Sequence, residues 1–263
     1  MSAVTDKAFF HRDGDWIVAN DACRGPWSVD ACHAGPVTGA MARAVEQAVP
    51  GKQLVRLTLS FQRPIPMAGF RIAAKLEREG RAATTASAEL SDRSGRICAL
   101  ASSLHLTAYP AVEFPTQSIP HPVFADARKG KFPVQNPLHD LPFFGFGIEA
   151  AYPPGETGEP GPTTMWMRTM PLLEDEEPSP FQTLCPIADC GNGISRNAEF
   201  AVASFVNADL TVLAYRLPES EWIASSAISF WEPNGIGMSQ ATLFDTRGAL
   251  GVALQTLIIR PTS

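Results

Sequence analysis

The chain has 263 residues, 45% hydrophobic and 18% charged, which suits two cored domains of about 100–150 residues each and excludes a disordered chain. Its net charge of −6 comes without any run of Lys and Arg, which argues against tight nucleic-acid binding, since phosphate contacts need clustered cations. No signal-peptide pattern opens the chain and no window approaches the ~18 apolar residues of a membrane span.

Taken in chain order, the first element is a helix over Asp30 to Ala48, with Val37, Ala40, Met41, Ala44 and Val45 at helical spacing and a stop at Pro50-Gly51. Gly35 and Gly39 are poor helix formers, and they are expected where a sheet approaches the helix closely. Arg71–Glu77 alternates Ile72, Ala74 and Leu76 with charged residues, as a half-buried strand requires. The segments SDRSG (Ser91–Gly95) and FDTRG (Phe244–Gly248) each set a turn-forming Asp and a Gly between strand-like runs, a hairpin signal. Tyr109 to Leu141 carries six prolines, Pro110 to Pro137, and reads as a linker draped over the surface. Strand-like Phe143–Tyr152 and Thr163–Met170 flank a Pro/Gly-rich loop, Pro153–Pro162. Pro180–Ala188 then places Phe181, Leu184, Cys185 and Ala188 on one side of a helix. Glu174–Glu177 is expected as a solvated acidic turn.

The chain also repeats itself. LTLSFQRP from Leu57 matches LTVLAYRL from Leu210, and AELSDRSGRICALASSL from Ala88 matches ATLFDTRGALGVALQTL from Ala241, always 153 positions apart and without a gap. One helix followed by antiparallel strands, twice over, is an α+β duplication. Five cysteines (23, 32, 98, 185 and 190) form an odd set with no CxxC pair, so reduced, buried thiols in a cytoplasmic protein are expected rather than zinc sites or disulfides. No GxSxG elbow or GxxxxGK[ST] loop is present. Gly145-Phe-Gly147-Ile-Glu-Ala150 fits GxGxxA but runs into Tyr152-Pro-Pro-Gly instead of a helix, so it is not a dinucleotide site. The five histidines lack HxxxH spacing and read as surface or structural groups.

PIADCGNGIS (Pro186–Ser195), FVNADLTVLAYRLPESEWI (Phe205–Ile223) and FDTRGALGVALQTLIIRP (Phe244–Pro261) resemble the C-terminal half of the type II acyl-CoA thioesterases. GPWSVDACHAGPVTGAMARAVE (Gly25–Glu46) with SFQRPIP (Ser60–Pro66) resembles their N-terminal half, with Ala34 in a place that is usually glycine. The resemblance implies a tandem double hotdog: two antiparallel sheets, each wrapped round a central helix, over 1–108 and 143–263 with a Pro-rich linker at 109–142. It implies acyl-CoA as the small-molecule substrate, water as co-substrate, no cofactor or metal, and further pairing into a homo-oligomer. It also implies a catalytic Asp, Thr and Gln, which fall on Asp189, Asn207 and Gln255, Asn207 being a departure that keeps hydrogen-bonding capacity. A thioester carbonyl needs an attacking water, a base and oxyanion donors. Asp189 is the expected base, with Asn207 and Gln255 holding the water. Asp209 matches a framework position. Stepping back 153 residues turns these three positions into Pro36, Leu54 and Ser102, so one competent site per chain is expected. Loss of Thr keeps a second possibility open, a catalytically silent acyl or acyl-CoA binder on the same scaffold.

Overall fold

The structure is a computed structural model that describes residues 6–110, 113–134 and 141–262. In the first half, β1 (Phe10–Asp13) and β2 (Trp16–Ala19) precede α1 (Ala34–Ala48), β3 (Gln53–Phe61), β4 (Phe70–Arg78), β5 (Ala83–Asp92) and β6 (Ile97–Leu106). β7 (Arg128–Gly130), β8 (Ile148–Tyr152) and β9 (Thr163–Thr169) then lead to α2 (Pro180–Ala188) and α3 (Gly191–Ile194). β10 (Ala203–Asn207), β11 (Asp209–Ala214), β12 (Ile223–Trp231), β13 (Ile236–Asp245) and β14 (Gly248–Pro261) complete the chain. Among the described residues, all strands belong to one antiparallel sheet, in the order β1-β2-β4-β5-β6-β3-β11-β14-β13-β12-β9-β8-β7, with β10 also on β14. The strands of the two halves thus join edge to edge, through β3 and β11, into one continuous sheet.

The halves meet where β3 lies antiparallel to β11, and the register exposes the duplication. Thr58 faces Thr211, its own counterpart 153 residues on, with Leu57 opposite Val212 and Leu59 opposite Leu210. The Thr211 hydroxyl donates to that of Thr58 at 3.1 Å, so a local two-fold passes between the two threonines. β4 and β5 shifted by 153 give the bounds of β12 and β13. Beyond the hairpin turn the ungapped alignment fails by one residue. Three residues separate the paired Asp92 and Arg96, whereas two separate Asp245 and Gly248. Hence Ala86 faces Ser103 while Ser239 faces Gln255, and the counterpart of Gln255 is Ser103, not Ser102. Ser102 is exposed and Ser103 is buried.

α1 lies against β3, β4 and β5 and against α2, while α2 and α3 lie on β9, β11, β12, β13 and β14. The helices run antiparallel: Ser179, the N-cap of α2, and Gln182 both donate to Glu46 near the end of α1. At the other end a Cβ on Gly35 would sit 2.8 Å from the Pro186 carbonyl oxygen and 3.2 Å from Asp189 Cβ. The glycines of α1 therefore serve a helix crossing and not the sheet: Gly35 meets α2, and Gly39 meets Leu172 and α2. β4 forms as expected, but Leu76 is 42% exposed and Ala74 is exposed, so its burial ends near Ile72. The acidic turn is not merely solvated, because Arg12 and Arg43 both bind Glu176. The linker is not wholly superficial either: β7 pairs with β8, and Phe132 and Val134 are buried. Residues 111–112 and 135–140 of that linker lie outside the described residues. The GxGxxA segment forms a 3-10 turn (Phe144–Gly147) running into β8, so no helix follows it. No helix among the described residues is long and apolar enough to cross a membrane.

Candidate active site

Asp189 caps the C-terminus of α2. The helix cannot continue smoothly, because Pro186 supplies no N–H to the Gln182 carbonyl and Gly191 and Gly193 follow at once. Asn207 ends β10 where the strand breaks at Ala208, and the same irregularity falls at Val55, its counterpart in the first copy. Gln255 lies on the inner face of β14 between Ala253 and Leu257. These three residues, far apart in sequence, converge. Asp189 Oδ1 accepts from Asn207 Nδ2 at 3.0 Å and from Gln255 Nε2 at 3.0 Å. The Gln255 amide also donates to the Asp189 carbonyl at 3.2 Å, and its Oε1 accepts the Asn192 backbone N–H at 3.1 Å. Both side-chain amides thus bind the carboxylate itself rather than pointing past it.

A fourth group joins them from the other copy. His33 Nδ1 lies 3.1 Å from Asp189 Oδ2 and 3.1 Å from the Gly35 N–H, as the N-cap of α1. Its ring stacks on Phe144 with centroids 3.8 Å apart. His33 was expected to be a surface or structural group. The signal was its place directly before the Ala34-Gly35-Pro36 helix start, where a side chain is aimed across the helix crossing. Asp209 does not join the cluster, because its carboxylate accepts from Thr256.

Burial dominates the electrostatics. Desolvation raises the Asp189 pKa to about 7, against the lowering effect of hydrogen bonds from Asn207, Gln255 and the Gly35 N–H. Desolvation likewise holds His33 down to about 3. The imidazole is therefore neutral at pH 7, and since its Nδ1 accepts the Gly35 N–H, its approach to Asp189 Oδ2 is a close packing contact and not an ion pair. A carboxylate with a pKa near the working pH is matched to general-base duty.

Asp189 borders a cavity of about 500 Å³, the size of a small-molecule site. Trp27, Phe200 and Phe205 pack together on one wall, and Phe132, Phe143 and Phe144 line another. Gln62, Arg63 and Asn207 supply polar edges. The counterparts of the cluster in the first copy, Pro36, Leu54 and Ser103, hold no carboxylate or amide side chain. Among the described residues no group of three or more His, Cys, Asp or Glu could hold a metal ion. All five cysteines are free thiols.

Comparison with known proteins shows the family and the fold. A family model described as the acyl-CoA thioesterase C-terminal domain matches residues 117–259, and one described as the N-terminal domain matches residues 23–106. No curated protein sequence matches the chain. Among solved structures, a candidate thioesterase from Novosphingobium aromaticivorans superposes with a TM-score of 0.76 at 19% identity, over 95% of this chain and 98% of that one. A hot dog fold protein from Alicyclobacillus acidocaldarius gives 0.75 at 15% identity over the whole of both chains. A tesB protein from Mycobacterium avium subspecies paratuberculosis gives 0.68 at 16% identity over 96% of each. With a hotdog fold, a site lodged between the copies and both halves of the family present in order, the chain belongs to the acyl-CoA thioesterase family and is a thioesterase.

Proposed function

We propose that the chain hydrolyses acyl-CoA thioesters by Asp189-assisted attack of water, at one site per chain. The observation that carries this reading is the buried carboxylate at the cavity wall, held by two side-chain amides and the Gly35 N–H, with its pKa moved to about 7. In its anionic form Asp189 takes a proton from a water lying against the thioester carbonyl, and the hydroxide equivalent adds to the carbon. Asn207 and Gln255 fix the carboxylate and keep part of it ionised despite burial. The proton then passes to the departing thiolate, giving free acid and coenzyme A. The reaction consumes only water, so no cofactor is called for.

In the same reading each copy is a hotdog, a curved sheet wrapped round its own helix, with 1–108 degenerate, 109–142 connecting and 143–263 bearing the acid-base group. The reduced thiols fit a cytoplasmic setting. Exposed Leu213, Val252, Leu254 and Met238 on the outer sheet face fit association into a homo-oligomer.

Free-thiol release from short, medium, long and aromatic acyl-CoAs tests the mechanism. Asp189→Ala is expected to lose turnover by a factor of about 10² or more while retaining the native circular dichroism spectrum. Full turnover in that variant would remove Asp189 from the chemistry.

A further inference from the structure

Most of the residues that line the cavity belong to the strands, helices and loops of the two copies themselves. Two do not. Phe132 and Val134 come from the segment that joins the two copies, yet both face the cavity. The path that brings them there is well defined. β7 is hydrogen-bonded to β8 from Arg128 to Gly130, the Tyr152 hydroxyl donates to the Lys131 carbonyl at 2.8 Å, and the Tyr152 ring covers the bare Gly130. Directly afterwards the chain turns inward. Phe132 is 6% exposed and meets Phe144 edge-on, with centroids 6.0 Å apart, and Phe144 in turn stacks on His33. Val134 is 5% exposed.

Both side chains rest on glycines. A Cβ on Gly145 would come within 3.1 Å of the Phe132 ring, and one on Gly193 within 3.1 Å of Val134 Cγ2. Gly193 belongs to α3, the turn whose Asn192 N–H binds Gln255. Phe132 and Val134 are therefore close-packed wall, seated on backbone that has no side chain to yield, and their bulk subtracts directly from the cavity.

The space, about 500 Å³, is that of a small-molecule site and not of an extended channel. The thioester and the end of the coenzyme's thiol arm must occupy part of it. We infer that Phe132 and Val134 are specificity-determining residues that bound the cavity around acyl groups of medium length and reject long chains. The inference rests on the thioesterase reading of the same site and adds the substrate class and the residues that set it.

The test uses the full chain and the variants Phe132→Ala, Val134→Ala and Val134→Phe. Thiol release is measured with butanoyl-, octanoyl-, dodecanoyl- and hexadecanoyl-CoA, beside calorimetric binding of the four free fatty acids. The wild type is expected to prefer octanoyl. Both alanine variants should raise kcat/KM for dodecanoyl and hexadecanoyl relative to octanoyl by about tenfold or more, and Val134→Phe should shift preference towards butanoyl. Val134→Ala removes only two methyl groups, so it guards against a Phe132 variant that fails to fold. A wild type that accepts hexadecanoyl as well as octanoyl overturns the inference, as does an unchanged ranking in folded, active variants. A wild type that binds octanoate selectively but releases no thiol defeats the hydrolytic reading and leaves the length selection standing.

Discussion

At the scale of single residues, the Asp189 cluster sets function against stability. A carboxyl whose pKa is about 7 in the folded chain and 3.8 in the unfolded one binds more protons folded than unfolded between those values. Its contribution is therefore least unfavourable below pH 4, and stability is lost as pH rises to about 7. Asp189→Asn, which cannot ionise, is expected to be inactive yet more stable than the wild type at pH 8, by about 2–4 kcal/mol. At pH 4 that gain should vanish. Urea unfolding at the two pH values checks it, and equal stabilities at pH 8 would mean that the carboxylate is not strained by burial. Gln255 acts in the opposite sense. Its N–H group favours the charged form, and hydrogen bonds to charged groups are worth about 1.5–3 kcal/mol. Gln255→Ala should thus move the acidic limb of the kcat/KM profile upward by about 1–2 pH units. A limb that stays in place would assign the titration to another group.

At the scale of elements, the crossing of α1 and α2 positions the base. Gly35→Ala would push a methyl group to 2.8 Å from the Pro186 carbonyl oxygen and 3.2 Å from Asp189 Cβ. The neighbours there are backbone and a carboxylate already held by Asn207 and Gln255, so neither yields cheaply. Overpacking of this kind costs about 1–3 kcal/mol, and thiol release should fall together with the urea midpoint. Normal turnover with a lowered midpoint would show the crossing to be purely structural.

The elements were legible where local chemistry decides them. Pro180–Ala188 and the β12–β13 segments follow from periodicity and from the duplicated turns, and Asp189, Asn207 and Gln255 meet as the family resemblance implied. What failed depended on register or on distant contacts. One residue of difference in the turn after Asp92 reverses which face Ser102 occupies, and no propensity reports that. His33 became part of the site only because two helices cross at Gly35. Phe132 and Val134 sit in a proline-rich stretch whose composition says linker, although the alternation of two apolar side chains there was the trace of an inward wall.

At the scale of the whole molecule, the site cannot belong to either half alone. His33, Trp27 and Phe61 come from the first copy and Asp189, Asn192 and Asn207 from the second, all lining one cavity. The β3–β11 ladder makes the sheet continuous, and one hydrophobic cluster contains Val37, Met41 and Leu57 together with Leu184, Phe205 and Val212. Cutting the chain between the copies would expose an unpaired strand and a face of that shared core, so neither half has an independent reason to hold its shape. The expectation is a single cooperative unfolding transition. Trp16 and Trp27 report on the first half and Trp166, Trp222 and Trp231 on the second. Tryptophan fluorescence, far-UV circular dichroism and residual thiol release should therefore fall along one urea curve. The m-value should correspond to exposure of the surface of the entire chain, since that slope scales with the area opened on unfolding. Two resolved transitions, with activity lost in the first while much of the circular dichroism persists, would show that the copies fold separately and that the cavity between them is a docked interface and not a shared core.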